Sequence, residues 1–164
     1  MDNLKKFIPT QLYTTLSPLY HRTLAWVGAR LYGYPSRELK VVAVTGTKGK
    51  SSVCEFVNSI LEHAGYTTAL VSTIRFKIGE NSQPNKRKMT MPGRFFLQSF
   101  LRKVVDAKCD WVIVEMTSEG AKQFRHVGID TDALIFTNIA AEHIESMAHL
   151  PTTYTQNFLL VKGS

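Results

Sequence analysis

The chain has little cysteine and no long hydrophobic run. Its 164 residues include only two cysteines, Cys54 and Cys109, without the paired spacing of a disulfide framework or a zinc site. A reducing cytoplasm is therefore the simplest setting for the protein. The apolar stretch near the N-terminus is interrupted by His21, Arg22 and Arg30 and lacks a small-residue cleavage site, so we predict neither a signal peptide nor a membrane-spanning helix there.

Acidic residues are also scarce. The sequence has 13 Asp and Glu against 20 Lys and Arg, and the resulting formal net charge of +7 suits a polyanionic partner. Because there is no arginine-rich helix and no base-stacking motif, we expect no nucleic-acid binding and favour a nucleotide and a phosphorylated substrate. The hydrophobic fraction of 44% and charged fraction of 20% are typical of a soluble globular domain with a real core.

Segment 1–37 is predicted to be helical, because its apolar residues recur near helical spacing. The favoured interpretation is a helix packed on the rest of the domain or on a missing domain. The alternative is an amphipathic helix in peripheral contact with a membrane surface, where basic side chains would help. The apolar positions are Leu12, Leu16, Leu19, Tyr20, Leu24, Trp26, Val27 and Leu31, and the basic ones are Lys5, Lys6, Arg22 and Arg30.

Segment 38–164 alternates predicted strands with predicted helices. The strands span 40–45, 67–72, 111–114 and 132–136. The helices span 50–64, 93–107, 118–126 and 151–162. The polar segment 73–92 is predicted to be a loop or a loose hairpin. Strands separated by helices indicate an α/β fold with a mostly parallel sheet, in which ligands bind at the carboxyl ends of the strands.

A candidate phosphate-binding loop follows the first predicted strand, in the run VVAVTGTKGKSS. Gly46 and Gly49 allow backbone N–H groups to approach phosphates closely. Lys50 can reach the β- and γ-phosphates, and Ser51 can place its hydroxyl on Mg²⁺. The generic phosphate loop has a glycine at the position of Val44, so this loop is a variant form.

Polar residues also follow two other predicted strands. Glu115 comes directly after the Val112–Val114 run, where a carboxylate suits a Mg²⁺ ligand, and this role is favoured over capping of the next helix. Thr137 and Asn138 follow the strand at 132–136. His143 stands alone in its segment, and an isolated histidine is more often a surface or core residue than a ligand.

Two further polar groups have open interpretations. The Lys86-Arg87-Lys88 cluster is either a solvated charged loop or a contact for a diphosphate group of a substrate. Thr117, Gln123 and Arg125 lie beyond a strand end, where they could cap a helix and face solvent or hold a substrate.

Four ordered motifs resemble those of the Mur ligases and folylpolyglutamate synthetases. The segment 44–52 resembles the family's T-G-T-x-G-K-[ST]-[ST] loop, in which valine at position 44 is expected. The segments 89–92, 115–120 and 136–145 resemble its T-T-P, E-x-S-S and F-T-N-x-x-x-[DE]-H-[LI]-[DE] motifs. The resemblance covers about residues 38–160, the family's central ATP-binding domain with its phosphate-loop NTPase-like fold, and points to the UDP-N-acetylmuramoyl-tripeptide synthetases.

The resemblance implies an amide ligation driven by ATP and Mg²⁺. Asn138 is expected on the adenine side of the nucleotide, and Lys50, Glu115 and His143 are the implied catalytic residues. Ser51 and Glu115 are expected to hold one Mg²⁺, and His143 with Glu115 a second. The implied nucleotide-binding set is Gly46, Thr47, Lys48, Gly49, Lys50, Ser51, Ser52 and Asn138. The implied contacts to a UDP-muramoyl-peptide-like substrate are Thr90, Thr117, Gln123 and Arg125.

The chain also departs from the family pattern. The resemblance implies a central domain, residues 38–164, that is incomplete and lacks the family's C-terminal domain for the incoming amino acid. The family's metal-bridging lysine follows a tyrosine by four residues, but Phe158 stands at that distance from Tyr154 and Lys162 lies one turn further on. A folylpolyglutamate synthetase-like ligase, or a catalytically incomplete ATP-binding module that works with a partner chain, therefore remain as alternatives.

Overall fold

The computed structural model describes residues 10–86 and 89–138, except for the side chains of residues 10–19 and 122. Four α-helices lie in this part of the chain: α1 (Thr10–Leu31), α2 (Lys50–His63), α3 (Arg94–Asp106) and α4 (Ser118–Lys122). Six strands accompany them: β1 (Lys40–Thr45), β2 (Thr68–Val71), β3 (Arg75–Ile78), β4 (Asn81–Pro84), β5 (Trp111–Glu115) and β6 (Ala133–Phe136). The predicted helix at 151–162 lies outside the described residues.

The six strands form one sheet in the order β4-β3-β2-β5-β1-β6. The pairs β2–β5, β5–β1 and β1–β6 are parallel, which confirms the mostly parallel α/β sheet. In this register Val44 lies beside Glu115 and Thr45 beside Phe136. The carboxyl ends of β5, β1 and β6 therefore meet at one edge of the sheet, where their following loops carry the polar residues predicted from sequence.

The sheet is covered on both faces because its central strands are apolar on both sides. On one face Val41 and Val112 pack with Leu97 and Leu101 of α3. On the other face lie Val42, Val44, Leu70 and Ile113, with Cys54 of α2. Buried strands of this kind read as continuous apolar runs, which is why β1 and β5 are recognisable from sequence.

Within segment 73–92, residues 75–84 form the hairpin β3–β4, which pairs with β2 and extends the main sheet in antiparallel fashion. Of the two predicted forms the hairpin is therefore the observed one. Its second strand, Asn81–Pro84, consists of exposed polar residues and proline and has no strand propensity of its own. Its extended conformation is set by pairing with β3, which a local pattern does not reveal.

The predicted helix at 118–126 is shorter than expected, since α4 ends at Lys122. The reason is local backbone geometry: Phe124 has a φ of 55°, in the left-handed region that a right-handed helix cannot continue through. The chain then turns, and the Arg125 N–H donates to the Gly120 carbonyl. This turn returns Arg125 toward the sheet edge.

Helix α1 packs on α3, as the favoured interpretation of the N-terminal segment predicted. Gly28 faces the Phe95 ring of α3, and a Cβ there would lie 3.5 Å from that ring, at ordinary van der Waals distance. The other side of α1 exposes Tyr20, Trp26 and Leu31. Among the described residues, no helix has the length and apolar character needed to cross a bilayer.

Both thiols should resist labelling in the folded protein. Cys54 and Cys109 are buried, and burial raises the pKa of each thiol; for Cys54 the nearby Glu115 carboxylate raises it further. We expect Ellman's reagent at pH 8 to modify neither thiol rapidly in buffer and both within minutes in concentrated urea. Rapid modification of one thiol in buffer would show that α2 or the β5 edge opens readily.

Candidate active site

The loop between β1 and α2 has the geometry of a phosphate-binding loop. Gly46 and Gly49 have φ values of 136° and 79°, which favour glycine, and Gly49 is the N-cap residue of α2. No side chain caps this helix, so its first N–H groups are available to an anion. The Lys50 ammonium lies over the loop and donates to the carbonyls of Gly46 (2.9 Å) and Thr47 (3.2 Å).

The end of β6 fixes the conformation of this loop. The Asn138 carboxamide oxygen accepts from the backbone N–H groups of Thr47 (2.8 Å) and Lys48 (3.1 Å). The Thr137 hydroxyl donates to the Lys48 carbonyl at 2.6 Å. A Cβ on Gly46 would collide with that hydroxyl and approach the Asn138 carbonyl to 3.0 Å. Asn138 was predicted as a nucleotide contact, and the structure adds a role in shaping the loop that sequence reasoning missed.

A buried carboxylate stands beside the loop. Glu115 is 2% exposed, and the Ser51 hydroxyl lies 3.0 Å from each of its two oxygens. The Thr73 N–H donates to the same carboxylate at 2.7 Å, and the Thr73 hydroxyl donates at 3.1 Å. The next helix is capped by Thr117, whose side chain accepts from the Gly120 N–H. Glu115 therefore does not cap α4, which was the alternative to a metal role.

The Ser51–Glu115 pair fits a magnesium ion that is shared with nucleotide phosphates. Mg²⁺ prefers oxygen ligands, keeps several waters and binds through one or two carboxylates plus substrate phosphates. Glu115 forms no ion pair with any described residue, so its buried charge lacks a cation among them. The described residues also contain no group of three or more His, Cys, Asp or Glu side chains that could enclose a metal. His143, predicted to hold a second Mg²⁺ together with Glu115, lies outside the described residues, as do Phe158 and Lys162.

Thr90 links the carboxylate to the predicted substrate side. Its hydroxyl lies 2.7 Å from that of Thr73, which in turn contacts Glu115. The next residue, Met91, gives its carbonyl to the Arg125 guanidinium. Of the predicted substrate residues, Arg125 therefore contacts the residue next to Thr90. Thr117 instead serves as the N-cap of α4.

Gln123 and Arg125 form a unit of their own. The Arg125 Nε and a terminal nitrogen donate to the Gln123 side-chain oxygen at 3.0 and 2.6 Å. Arg94, which was not predicted, donates to the Gln123 carbonyl at 2.5 Å. Elsewhere, Lys48 and Ser52 are exposed at the loop, and Lys86 is exposed beyond the β3–β4 hairpin, while Arg87 and Lys88 lie outside the described residues.

The fold and the loop agree with comparisons to known proteins. The family model for the Mur ligase middle domain matches residues 44–163. The chain belongs to this family, which confirms the resemblance inferred from its four motifs.

Two curated relatives are much longer than this chain. A UDP-N-acetylmuramyl-tripeptide synthetase of Roseiflexus sp. (strain RS-1) is 36% identical over 124 residues, which cover 74% of this chain and 24% of that protein. A UDP-N-acetylmuramoyl-L-alanyl-D-glutamate–2,6-diaminopimelate ligase of Syntrophomonas wolfei is 31% identical over 149 residues, which cover 89% of this chain and 30% of that protein. The chain thus spans roughly a quarter to a third of the length of these relatives.

Two solved structures share the fold. A UDP-N-acetylmuramoyl-L-alanyl-D-glutamate–2,6-diaminopimelate ligase superposes with a TM-score of 0.59 at 22% identity, covering 68% of this chain and 24% of that one. Escherichia coli FolC in complex with DHPP and ADP superposes with a TM-score of 0.52 at 23% identity, covering 72% of this chain and 34% of that one. At these identities the likeness concerns the fold alone.

Proposed function

We propose that this chain is the ATP-binding core of an ATP-dependent acid–amino acid ligase that acts on a UDP-muramoyl-peptide-like precursor in the cytoplasm. The observation that carries the proposal is the direct contact of Ser51 with the buried Glu115 carboxylate beside a phosphate loop. Membership of the Mur ligase middle domain family and the names of the two curated relatives support the choice of substrate class.

In the proposed reaction a substrate carboxylate oxygen attacks the γ-phosphorus of ATP, and ADP leaves. The resulting acyl phosphate is attacked by the amine of an amino acid, which loses a proton as inorganic phosphate departs and the amide bond forms. Such phosphoryl transfers need positioning and charge stabilisation more than covalent help from the protein.

The described residues have defined tasks in this scheme. The first N–H groups of α2 and the Lys50 ammonium bind the phosphates, and Lys50 offsets charge on the phosphoryl group in transit. Ser51 and Glu115 would hold Mg²⁺, which supplies further charge stabilisation when bound. Thr90 lies next to this cluster and is placed to orient the acyl group, with Gln123 and Arg125 further along the same side. His143 and Asn138 keep their predicted roles at the second metal and the nucleotide.

The Lys50→Ala variant tests the phosphate loop. We expect its affinity for ATP·Mg²⁺, measured by isothermal titration calorimetry, to fall about tenfold or more, because charge-assisted contacts to phosphate are lost. Lys103→Ala, which removes one exposed cation from α3, is the control and should bind like the unaltered chain. Equal affinity of the Lys50→Ala variant and the unaltered chain would end the phosphate-loop assignment.

A second assay separates the ligase from a nucleotide-binding module. The chain is incubated with ATP·Mg²⁺, a UDP-muramoyl dipeptide and diaminopimelate or lysine, and ADP formation is followed. ADP that forms only when both the UDP-muramoyl dipeptide and the amino acid are present supports the ligase. Binding of ATP without binding of the UDP-muramoyl dipeptide, both measured by calorimetry, would favour an ATP-binding module that requires a partner chain. Turnover with a folate substrate in place of the muramoyl one would favour the folylpolyglutamate synthetase-like alternative.

A further inference from the structure

A cluster of basic side chains lies next to the proposed substrate side, and two of its three members, Arg94 and His21, have no assigned role. Arg94 at the start of α3 and Arg125 after α4 both bond to Gln123, Arg94 to its backbone carbonyl and Arg125 to its side-chain oxygen. His21 of α1 lies close enough to both guanidiniums for their charges to lower its pKa, after burial as the largest cause. Three separate elements therefore bring these groups together.

The cluster is short of negative charge. Neither Arg94 nor Arg125 forms an ion pair with a carboxylate of the described residues. The nearest bonded carboxylate, Glu119, accepts from the Gln123 side-chain nitrogen at 2.6 Å rather than from a guanidinium. Burial, and then the charge of Arg125, lowers the pKa of Arg94. Like charges held together in a partly buried place are costly unless something offsets them.

Two nitrogen atoms of the cluster are buried without a hydrogen-bond partner in the part of the chain that the structure describes. These are the Arg94 Nε and the His21 Nδ1 atoms, and the first carries an N–H in every protonation state of arginine. Buried polar groups in folded proteins nearly always have a partner. Arg94 is also at the positive end of the α3 dipole, where a cation is disfavoured and an anion is favoured.

The cluster has a defined position relative to the phosphate loop. Arg125 contacts the carbonyl of Met91, and the neighbouring Thr90 reaches the Thr73–Glu115 cluster. Met91 directly follows Thr90, so the carbonyl that Arg125 contacts belongs to the residue next to Thr90. Planar guanidinium forks match carboxylate and phosphate oxygens.

We propose that Arg94, Arg125 and His21 form an oxyanion-binding site that holds an acidic group of the acyl substrate other than the carboxylate that reacts. The inference rests on the proposed function for the identity of the substrate, but the site itself is defined by the three side chains. A bound carboxylate or phosphate would accept from the buried Arg94 Nε–H and offset the two positive charges, so that the acyl group is held at a fixed distance from the phosphate loop.

The test uses the chain with glutarate and inorganic phosphate as probes, at constant ionic strength. Arginine Nε–H resonances are followed by ¹H–¹⁵N NMR, and the Arg94 signal is assigned from its loss in the Arg94→Lys variant. We expect a saturable shift of the Arg94 signal with at least one probe. Arg94→Gln should weaken that probe's affinity about tenfold or more, the size expected for hydrogen bonds to a charged group. His21→Phe should weaken it less.

The control is Arg37→Gln, which removes an exposed cation that pairs with Asp130 on the surface. Its affinity for the probe should equal that of the unaltered chain. Saturation by glutarate alone identifies a carboxylate site, and mutual competition of the two probes identifies a general oxyanion site; both results support the proposal. No saturable shift, or an equal loss in the Arg37→Gln and Arg94→Gln variants, would overturn it.

Separate control measurements test whether the variants fold and whether they still bind nucleotide. Arg94→Lys keeps the charge and most of the side-chain stem, so an intermediate loss of affinity in this variant shows that the effect does not arise from unfolding. ADP·Mg²⁺ binding is measured on the same samples and should be unchanged in Arg94→Gln. If the chain binds glutarate through Arg94 but binds no nucleotide, the oxyanion site stands and the proposed ligase is refuted. If it binds nucleotide but neither probe through Arg94, the oxyanion site is refuted and the proposed ligase stands.

Discussion

Glu115→Gln is expected to raise the Mg²⁺ concentration needed for tight ATP binding by about 10–100-fold, the range seen when even an indirect partner of a bound metal is lost. The substitution keeps the size and shape of a side chain that is 2% exposed but removes the charge that Mg²⁺ would meet. The measurement is ATP affinity by calorimetry at a series of Mg²⁺ concentrations, from chelator-treated protein upward.

Glu80→Gln is the matched control, because it removes one carboxylate from an exposed turn between β3 and β4. It should leave the Mg²⁺ requirement unchanged. An unchanged requirement in Glu115→Gln would show instead that this carboxylate serves only to hold Ser51 and Thr73. A urea titration of each variant separates the two roles, since an organising carboxylate would affect the free energy of unfolding without affecting metal dependence.

The part of the fold that the sequence reveals is the part determined by local patterns. Strands β1 and β5 are continuous apolar runs, and α2 and α3 have regular apolar spacing, so each was predicted nearly to its observed ends. The sequence allows the hairpin strand Asn81–Pro84 as only one of two possibilities, because its extended form depends on pairing with β3. The early end of α4 depends on the backbone at Phe124, which no periodicity signals.

The candidate site also contains contacts that the sequence predicts and contacts that it does not reveal. The family resemblance implies that Ser51 and Glu115 share one Mg²⁺, and the register of β1 with β5 explains their contact. The Thr73 contact was missed because a backbone N–H provides half of it and carries no sequence signal. Arg94 did leave a signal, since a cation in the first turn of a helix opposes the dipole. Such local conflicts are expected where function imposes them.

Gly46→Ala is expected to be among the most destabilising single substitutions in the chain. The residue has a φ of 136°, which L-amino acids rarely adopt, and this costs about 1–3 kcal/mol. The added methyl group also meets the Thr137 hydroxyl and the Asn138 backbone, which adds a similar amount, about 1–3 kcal/mol, for overpacking. The free energy of unfolding from urea titrations should fall by the sum, and ATP affinity should fall with it because the loop is displaced.

Gly28→Ala is the control with the same chemical change. This glycine lies inside α1, where a Cβ would make ordinary contact with Phe95 at 3.5 Å, and alanine there should raise stability by about 0.5–1 kcal/mol. A small effect of Gly46→Ala would show that the loop does not need the observed backbone.

The two sources of cost at Gly46 can be separated by a double-mutant cycle with Thr137→Ala. Removing the Thr137 hydroxyl takes away the nearest obstacle to the new methyl group but leaves the φ of 136° unchanged. The double variant should therefore lose less stability than the two single changes added together, with a coupling of about 0.5–3 kcal/mol. If the losses in the free energy of unfolding are simply additive, the whole cost of Gly46→Ala comes from the backbone conformation at position 46. A clear coupling would show that β6, which sequence reasoning had assigned only nucleotide contacts, also holds the phosphate loop in shape.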